Sequence, residues 1–305
     1  MKNRVALLYF FGKHFTVAFF CGIISKEGNI MRYNKQSVKY VCKNFIFLLP
    51  FAIIPAIFFS FSTDEEAITR VIKAIFNWNL SSWTFFDLFR AISVLNFGSW
   101  RALVFGIIGI IVLVPCVAMM MALLEKHFRI GKRTFNGLWG KLNDNLLSTC
   151  GYAVLLLAIY EVWALLTSAL LFFVSRITIT AVAYSLCGGV FFVMHIVLVY
   201  AVGCIYLWLP CMQITGFRAM EALHYSYQLY SPVKGKVLVA QFLLLAFSEA
   251  LIALCAMYLQ SFIVFTALTT VMYSIMLIVY CVRMEIVYFD RDQIERADLA
   301  RYYHR

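Results

Sequence analysis

LWLPCMQITGFRAMEALHYSYQLY, residues Leu207–Tyr230, is the stretch whose reading decides the fold. An apolar helix end carries Pro210-Cys211, Gly216 breaks it, and an amphipathic run then leads into another apolar segment. About ninety residues earlier the chain follows the same order. Val112–Trp139 reads VLVPCVAMMMALLEKHFRIGKRTFNGLW, with Pro115-Cys116, a break at Gly131 and a basic, aromatic run before the next apolar segment. These read as corresponding junctions of a repeated unit. Each unit is an amphipathic helix on a membrane surface followed by a pair of transmembrane helices.

Working outward, the whole chain supports a membrane reading. Of its 305 residues 63% are hydrophobic and 13% charged, and the mean hydropathy is +0.85. A soluble globular domain does not have that balance. Apolar runs of about 20 residues, enough to cross a ~30 Å hydrocarbon core, recur along it. No polar block is long enough for a separate soluble module, so residues 1–305 form one integral membrane domain. The net charge of +11 would point to nucleic acid in a soluble protein. Here the charges flank apolar segments, where they set topology and attract anionic lipid, and no nucleic-acid partner is expected. Nine cysteines lie in or beside apolar segments without a C-x-x-C pair. They read as free thiols packing as small apolar groups.

Residues 1–44 read as N-terminal interfacial helices. Val5–Ile24 is interrupted by Gly12, Lys13 and His14, which favours a helix lying in the interface; a seventh span is the alternative. Arg32–Asn44 is basic and amphipathic, the first unit's surface helix. Six spans follow: Phe45–Phe61, Ala102–Leu124, Leu146–Val174, Ile177–Leu209, Val237–Leu259 and Phe262–Val287. Pro50 and Pro55 predict a kinked or internally packed first span.

The long connection, residues 62–100, is an outer amphipathic loop. Thr63-Asp64-Glu65-Glu66 predicts a capping box opening a helix with Ala67, Ile68, Val71, Ile72, Ile75 and Phe76 on one face. Ser82 opens a second amphipathic run, in which Asp87 and Arg90 predict a surface ion pair. Trp78, Trp83 and Trp100 suit the water–lipid boundary. The two helices would lie on the outer surface or cap a cavity. Twenty-one Lys and Arg fall on one side of this topology and five on the other. That asymmetry puts both termini in the cytoplasm of a bacterial cell, with residues 288–305 as a cytoplasmic helical tail.

Three ionisable residues stand near the middles of consecutive apolar segments: Glu161, His195 and Glu249. A carboxylate costs about 2.5–3.5 kcal/mol at that depth on insertion scales, so such groups face the bundle interior. Together they predict a midplane polar centre for proton-linked transport or for a polar headgroup. The plainer reading is interhelical hydrogen bonding that fixes packing. Lys35, Lys39 and Lys43 recur every four residues, and Lys132, Arg133 and Lys141 flank Phe135, Leu138 and Trp139. These suit anionic headgroups, at about 1 kcal/mol per cation, or serve topology alone. No G-x-S-x-G, P-loop, H-E-x-x-H or nucleotide fingerprint occurs, so no enzyme, metal or cofactor is expected.

TGFRAMEALHYSYQLYSPVKGKVLVAQFLLL (Thr215–Leu245), and more faintly GKRTFNGLWGKLNDNLLS (Gly131–Ser148), resembles the membrane domain associated with bacterial glycerophosphodiester phosphodiesterases and related six-helix membrane proteins. The resemblance implies repeats of a surface helix plus a membrane hairpin over about residues 32–290. The phosphodiesterase itself needs a separate metal-binding barrel, for which this chain has no room, so catalysis is not implied. The expectation is an all-α bundle of six transmembrane helices in three such repeats. Its expected role is accessory or organising, through membrane lipid, a membrane-protein partner or a second copy. A transporter or permease component using the polar centre is the alternative.

Overall fold

The computed structural model describes residues 32–131, 135–259 and 261–292. The expected interfacial segment 5–24, Lys132, Arg133 and the tail from residue 293 lie outside these. In chain order the helices are α1 (Arg32–Ser62), α2 (Glu65–Phe76), α3 (Phe85–Ile92), α4 (Trp100–Ile130), α5 (Leu138–Ser175), α6 (Thr180–Cys204), α7 (Trp208–Thr215), α8 (Ala219–Tyr230), α9 (Lys234–Tyr258) and α10 (Phe262–Arg291). Among the described residues, six segments are long and apolar enough to cross a membrane: α1, α4, α5, α6 with α7, α8 with α9, and α10. Hydrocarbon offers the backbone no hydrogen bonds, so an apolar chain of this kind pairs its N–H and C=O groups within helices.

The spans pack in chain order around a ring. α1 lies between α10 and α4, α4 against α5, α5 against α6, α6 against α9, and α9 closes on α10. The most extensive of these seams joins the first and last spans. Leu48, Ala52, Ala56 and Ser60 recur every four residues on α1 and are all buried, facing the Thr266, Thr270, Ser274 and Ile278 row of α10. Small residues at this spacing let two backbones approach closely, which is what drives helix association in lipid. Hydrogen bonds stitch the seam at each level: Tyr33 to Asp290 at 2.8 Å, Thr270 to Ser60 at 2.9 Å, and Thr63 with Tyr273 at 2.9 Å.

Several local expectations are corrected. Arg32–Asn44 is no separate surface helix; it runs unbroken into the first span, since nothing between Asn44 and Phe45 interrupts its buried stripe of Tyr33, Ser37, Val41, Asn44 and Leu48. Pro50 and Pro55 sit inside α1 without ending it. Among the described residues after Gly131, those at 135–137 are not helical and α5 begins at Leu138, with Gly131 and Gly137 both in left-handed backbone (φ 70° and 78°). Among the described residues, the third junction alone carries a distinct amphipathic helix, α8, after Gly216 at φ 71°. The fourth span is interrupted instead: α6 stops at Cys204, and Ile205–Leu207 form a tight turn before α7. Of the cysteines expected to be buried, Cys42 and Cys150 are exposed.

The α1–α10 seam makes a direct prediction. Ala52→Leu puts a branched side chain at a fully buried position of the seam and should destabilise the protein by about 1–3 kcal/mol. Ile46→Leu, at a position facing away from the bundle, should be neutral. Thermal unfolding in detergent separates them, and equal midpoints would refute the close packing.

Candidate functional site

The ring encloses a cavity of about 730 Å³, partly open to the outside. All six spans contribute to its wall, from Phe59 on α1 and Leu113 on α4 to Tyr280 on α10. Along α5 it runs from Leu156 to Leu171, roughly 22 Å at 1.5 Å per residue. The lining is overwhelmingly apolar.

The connection between α1 and α4 forms its roof. α2 and α3 turn Ile68, Val71, Ile72, Leu88 and Ile92 toward the cavity. Trp83, expected at the water–lipid boundary, is buried there instead and donates to the Val71 carbonyl at 3.1 Å. The N-cap of α2 is Asp64, one residue later than the capping-box reading placed it. Its carboxylate accepts from the Ala67 N–H at 2.9 Å, while the Thr63 hydroxyl turns to Phe59 and Tyr273. Asp64 also receives Arg90 of α3 through Nε at 2.8 Å. Arg90 therefore does not pair with Asp87, which is held by Arg70 at 2.9 Å. Helix spacing made Asp87 and Arg90 look like partners; the antiparallel fold of α2 on α3 offers each a closer one. Gly98 packs flat on the Arg90 guanidinium, where an added Cβ would stand 2.0 Å from Nε.

Two of the three expected polar-centre residues meet, and the third does something else. His195 on α6 and Glu249 on α9 are 2.7 Å apart through Nε2 and Oε2. The other ring nitrogen, Nδ1, lies 2.8 Å from the Phe191 carbonyl, which can only accept, so Nδ1 carries a hydrogen. One further proton must then lie between Nε2 and Oε2, and on either atom it leaves the pair neutral overall. The edge of Trp163 closes over the imidazole, with ring centroids 5.0 Å apart. Glu249 lines the cavity.

Glu161 points into the α3–α4 connection. Its carboxylate accepts from the Ser93 hydroxyl at 2.7 Å and from the Val94 and Leu95 N–H groups at 3.0 Å each. Next to it, the Tyr160 hydroxyl donates to the Ile92 carbonyl at 2.9 Å. At the roof's other end Arg176 donates to the Ser81 and Trp83 carbonyls, and Tyr184 to that of Ile75. The roof is thus pinned to α5 and α6 at both ends. Sequence reasoning missed Asp64, Arg90, Tyr160 and Trp163 as cavity residues; their partners lie on other elements, which no local spacing reveals.

The basic residues do not form one patch. Lys35, Lys39 and Lys43 make an exposed stripe on α1, opposite its buried face. Lys141 instead stands 3.4 Å from Glu125, which also binds Arg129 at 3.2 Å. Among the described residues, no three His, Cys, Asp or Glu side chains cluster as a metal site.

Six spans around an apolar cavity define a multi-pass α-helical membrane protein. Compared with protein-family models, curated proteins and solved structures, the chain matches none.

Glu161 should be the residue on which the roof depends. Glu161→Ala strands two backbone N–H groups at about 1–3 kcal/mol each, and should speed hydrogen exchange at Val94 and Leu95. Glu161→Gln, which keeps an acceptor, should do so less. Unchanged exchange in the alanine variant would show that the roof is held elsewhere.

Proposed function

We propose that this protein is a non-catalytic membrane protein that holds an amphipathic, lipid-like molecule in its central cavity, in an accessory or organising role. The cavity itself is the observation that carries this reading. A cavity of about 730 Å³ that is partly open to the outside does not stay empty. Something must fill it, and apolar walls favour hydrocarbon over water. Its length along α5 suits an extended chain, and the Asp64–Arg90 and His195–Glu249 pairs suit a polar head. A volume in the 300–1,000 Å³ range is that of a ligand site, not a packing defect. α9 packs more thinly on its neighbours than α1 does, and entry from the bilayer belongs beside it.

The finer topology belongs to the same reading: three repeated units, resembling the phosphodiesterase-associated membrane domains, in a bacterial cytoplasmic membrane. The end carrying Arg32 and Arg291 faces the cytoplasm, on the strength of the Lys and Arg asymmetry. The Lys35, Lys39 and Lys43 stripe would rest on anionic headgroups there.

The His195–Glu249 pair favours a second reading, proton-linked transport. A pH-gradient-dependent flux in proteoliposomes that Glu249→Gln abolishes would establish that reading over simple binding.

For the leading reading, native mass spectrometry after gentle extraction should find one retained amphipathic molecule per chain. Ala253→Phe places a ring in the void and should weaken that retention about tenfold, equivalent to ~1.4 kcal/mol. No retained molecule, and no difference between the variants, would overturn it.

A further inference from the structure

Below the cavity floor, Arg283 of α10 is 2% exposed, and its Nε and Nη1 have no hydrogen-bond partner. A guanidinium withdrawn from water without an acceptor is among the costliest arrangements a protein core can hold. Among the described residues, two phenols lie within electrostatic reach of it, Tyr206 and Tyr280. Their rings meet edge to face at 5.2 Å, and the Tyr206 hydroxyl donates to the Tyr280 carbonyl at 3.3 Å. The Tyr280 hydroxyl lies 2.6 Å from that of Tyr152 on α5.

Two further observations bear on what could reach this group. Tyr280, one helical turn before Arg283, is itself part of the cavity wall. Tyr206 sits in the Ile205–Leu207 turn, where the fourth span is broken. Non-helical backbone at membrane depth is tolerated where protein buries it or where it lines a site, and broken spans mark binding sites in many membrane proteins.

We propose that Arg283, one turn below the wall residue Tyr280, is an oxyanion site just beneath the floor of the cavity, recognising a phosphate-type group. A planar guanidinium fork matches two oxygens of one phosphate, and the charge that burial makes so costly is neutralised by the ligand. The oxyanion belongs either to an anionic phospholipid whose chains rise into the cavity or to free phosphate. The lipid source rests on the cavity reading above; the anion site does not.

The test measures thermal unfolding of the full chain against three probes: inorganic phosphate, nanodiscs containing phosphatidylglycerol, and nanodiscs of phosphatidylcholine alone. The wild-type midpoint should rise with phosphatidylglycerol over phosphatidylcholine if the source is lipid, or with inorganic phosphate if it is free anion. Arg283→Gln should abolish that rise, weakening anion binding roughly thirtyfold or more, and Arg283→Lys should keep only part of it. Without anion, Arg283→Gln should be at least as stable as wild type, because it removes an unpaired buried charge. A large loss of stability in that variant without anion would mean that Arg283 has a structural role, and would overturn the proposal. So would the absence of any anion response in the wild type, or a response that Arg283→Gln leaves intact. Retention of a neutral amphipathic molecule by Arg283→Gln tells the two readings apart. If retention persists while the anion response is lost, both stand; if retention is absent from wild type as well, the cavity reading fails by itself.

Discussion

A carboxylate deep in a membrane helix must find hydrogen-bond donors where the solvent offers none. Glu161 finds them in the Ser93 hydroxyl and in two backbone amides of the α3–α4 connection. That requirement governs much of what surrounds it. The connection is drawn in against α5, so α3 ends and α4 begins beside the bundle and not out in water. α2 and α3 are left folded back over the ring, their apolar faces toward its centre. Asp64 then caps α2 and holds Arg90 of α3 at the same time, so the pair behaves as one unit. Without the carboxylate, the two amides would be orphaned at a depth where orphaned groups are expensive.

The rest of the polar inventory is placed with similar economy. His195 and Glu249 join α6 to α9 across one of the thinner contacts in the ring. Tyr33, Ser60 and Thr63 fasten α1 to α10 along nearly its whole length. Each such bond in a membrane core is worth only about 0.6 kcal/mol on average. Their value is therefore mostly in setting register, while the Ala and Ser stripe of α1 supplies the close packing. The centre of the ring is the place where this packing does not reach.

Much of this was open to reading from the sequence. The apolar runs announce six spans, because a bilayer imposes one length on all of them, and the period of apolar residues in Ala67–Phe76 announces an amphipathic helix. Depth alone made Glu161, His195 and Glu249 conspicuous. Their partners were not legible, since they depend on which helices become neighbours. Arg90 was assigned to Asp87 by spacing, yet the fold brings Asp64 to it from 26 residues away. Trp83 carries the same side chain as an interfacial anchor; only the turn of the roof puts it inside. Arg283 is counted only among the twenty-one cations of the cytoplasmic side, because nothing local shows that α10 is surrounded at that level.

The closeness of α1 and α10 also bears on how the chain is made. The bond between Arg32 and Asp290 joins residues 258 positions apart. At roughly 5–20 residues per second, α1 leaves the ribosome some 10–50 s before its principal partner exists. During that interval the hydroxyl of Ser60 and the narrow Ala52–Ala56 strip have no helix to meet. The first span must wait in the insertion machinery, lean on α4 alone, or be shielded by another membrane protein. The cavity cannot exist until the sixth span arrives, so nothing could enter it before the ring is finished.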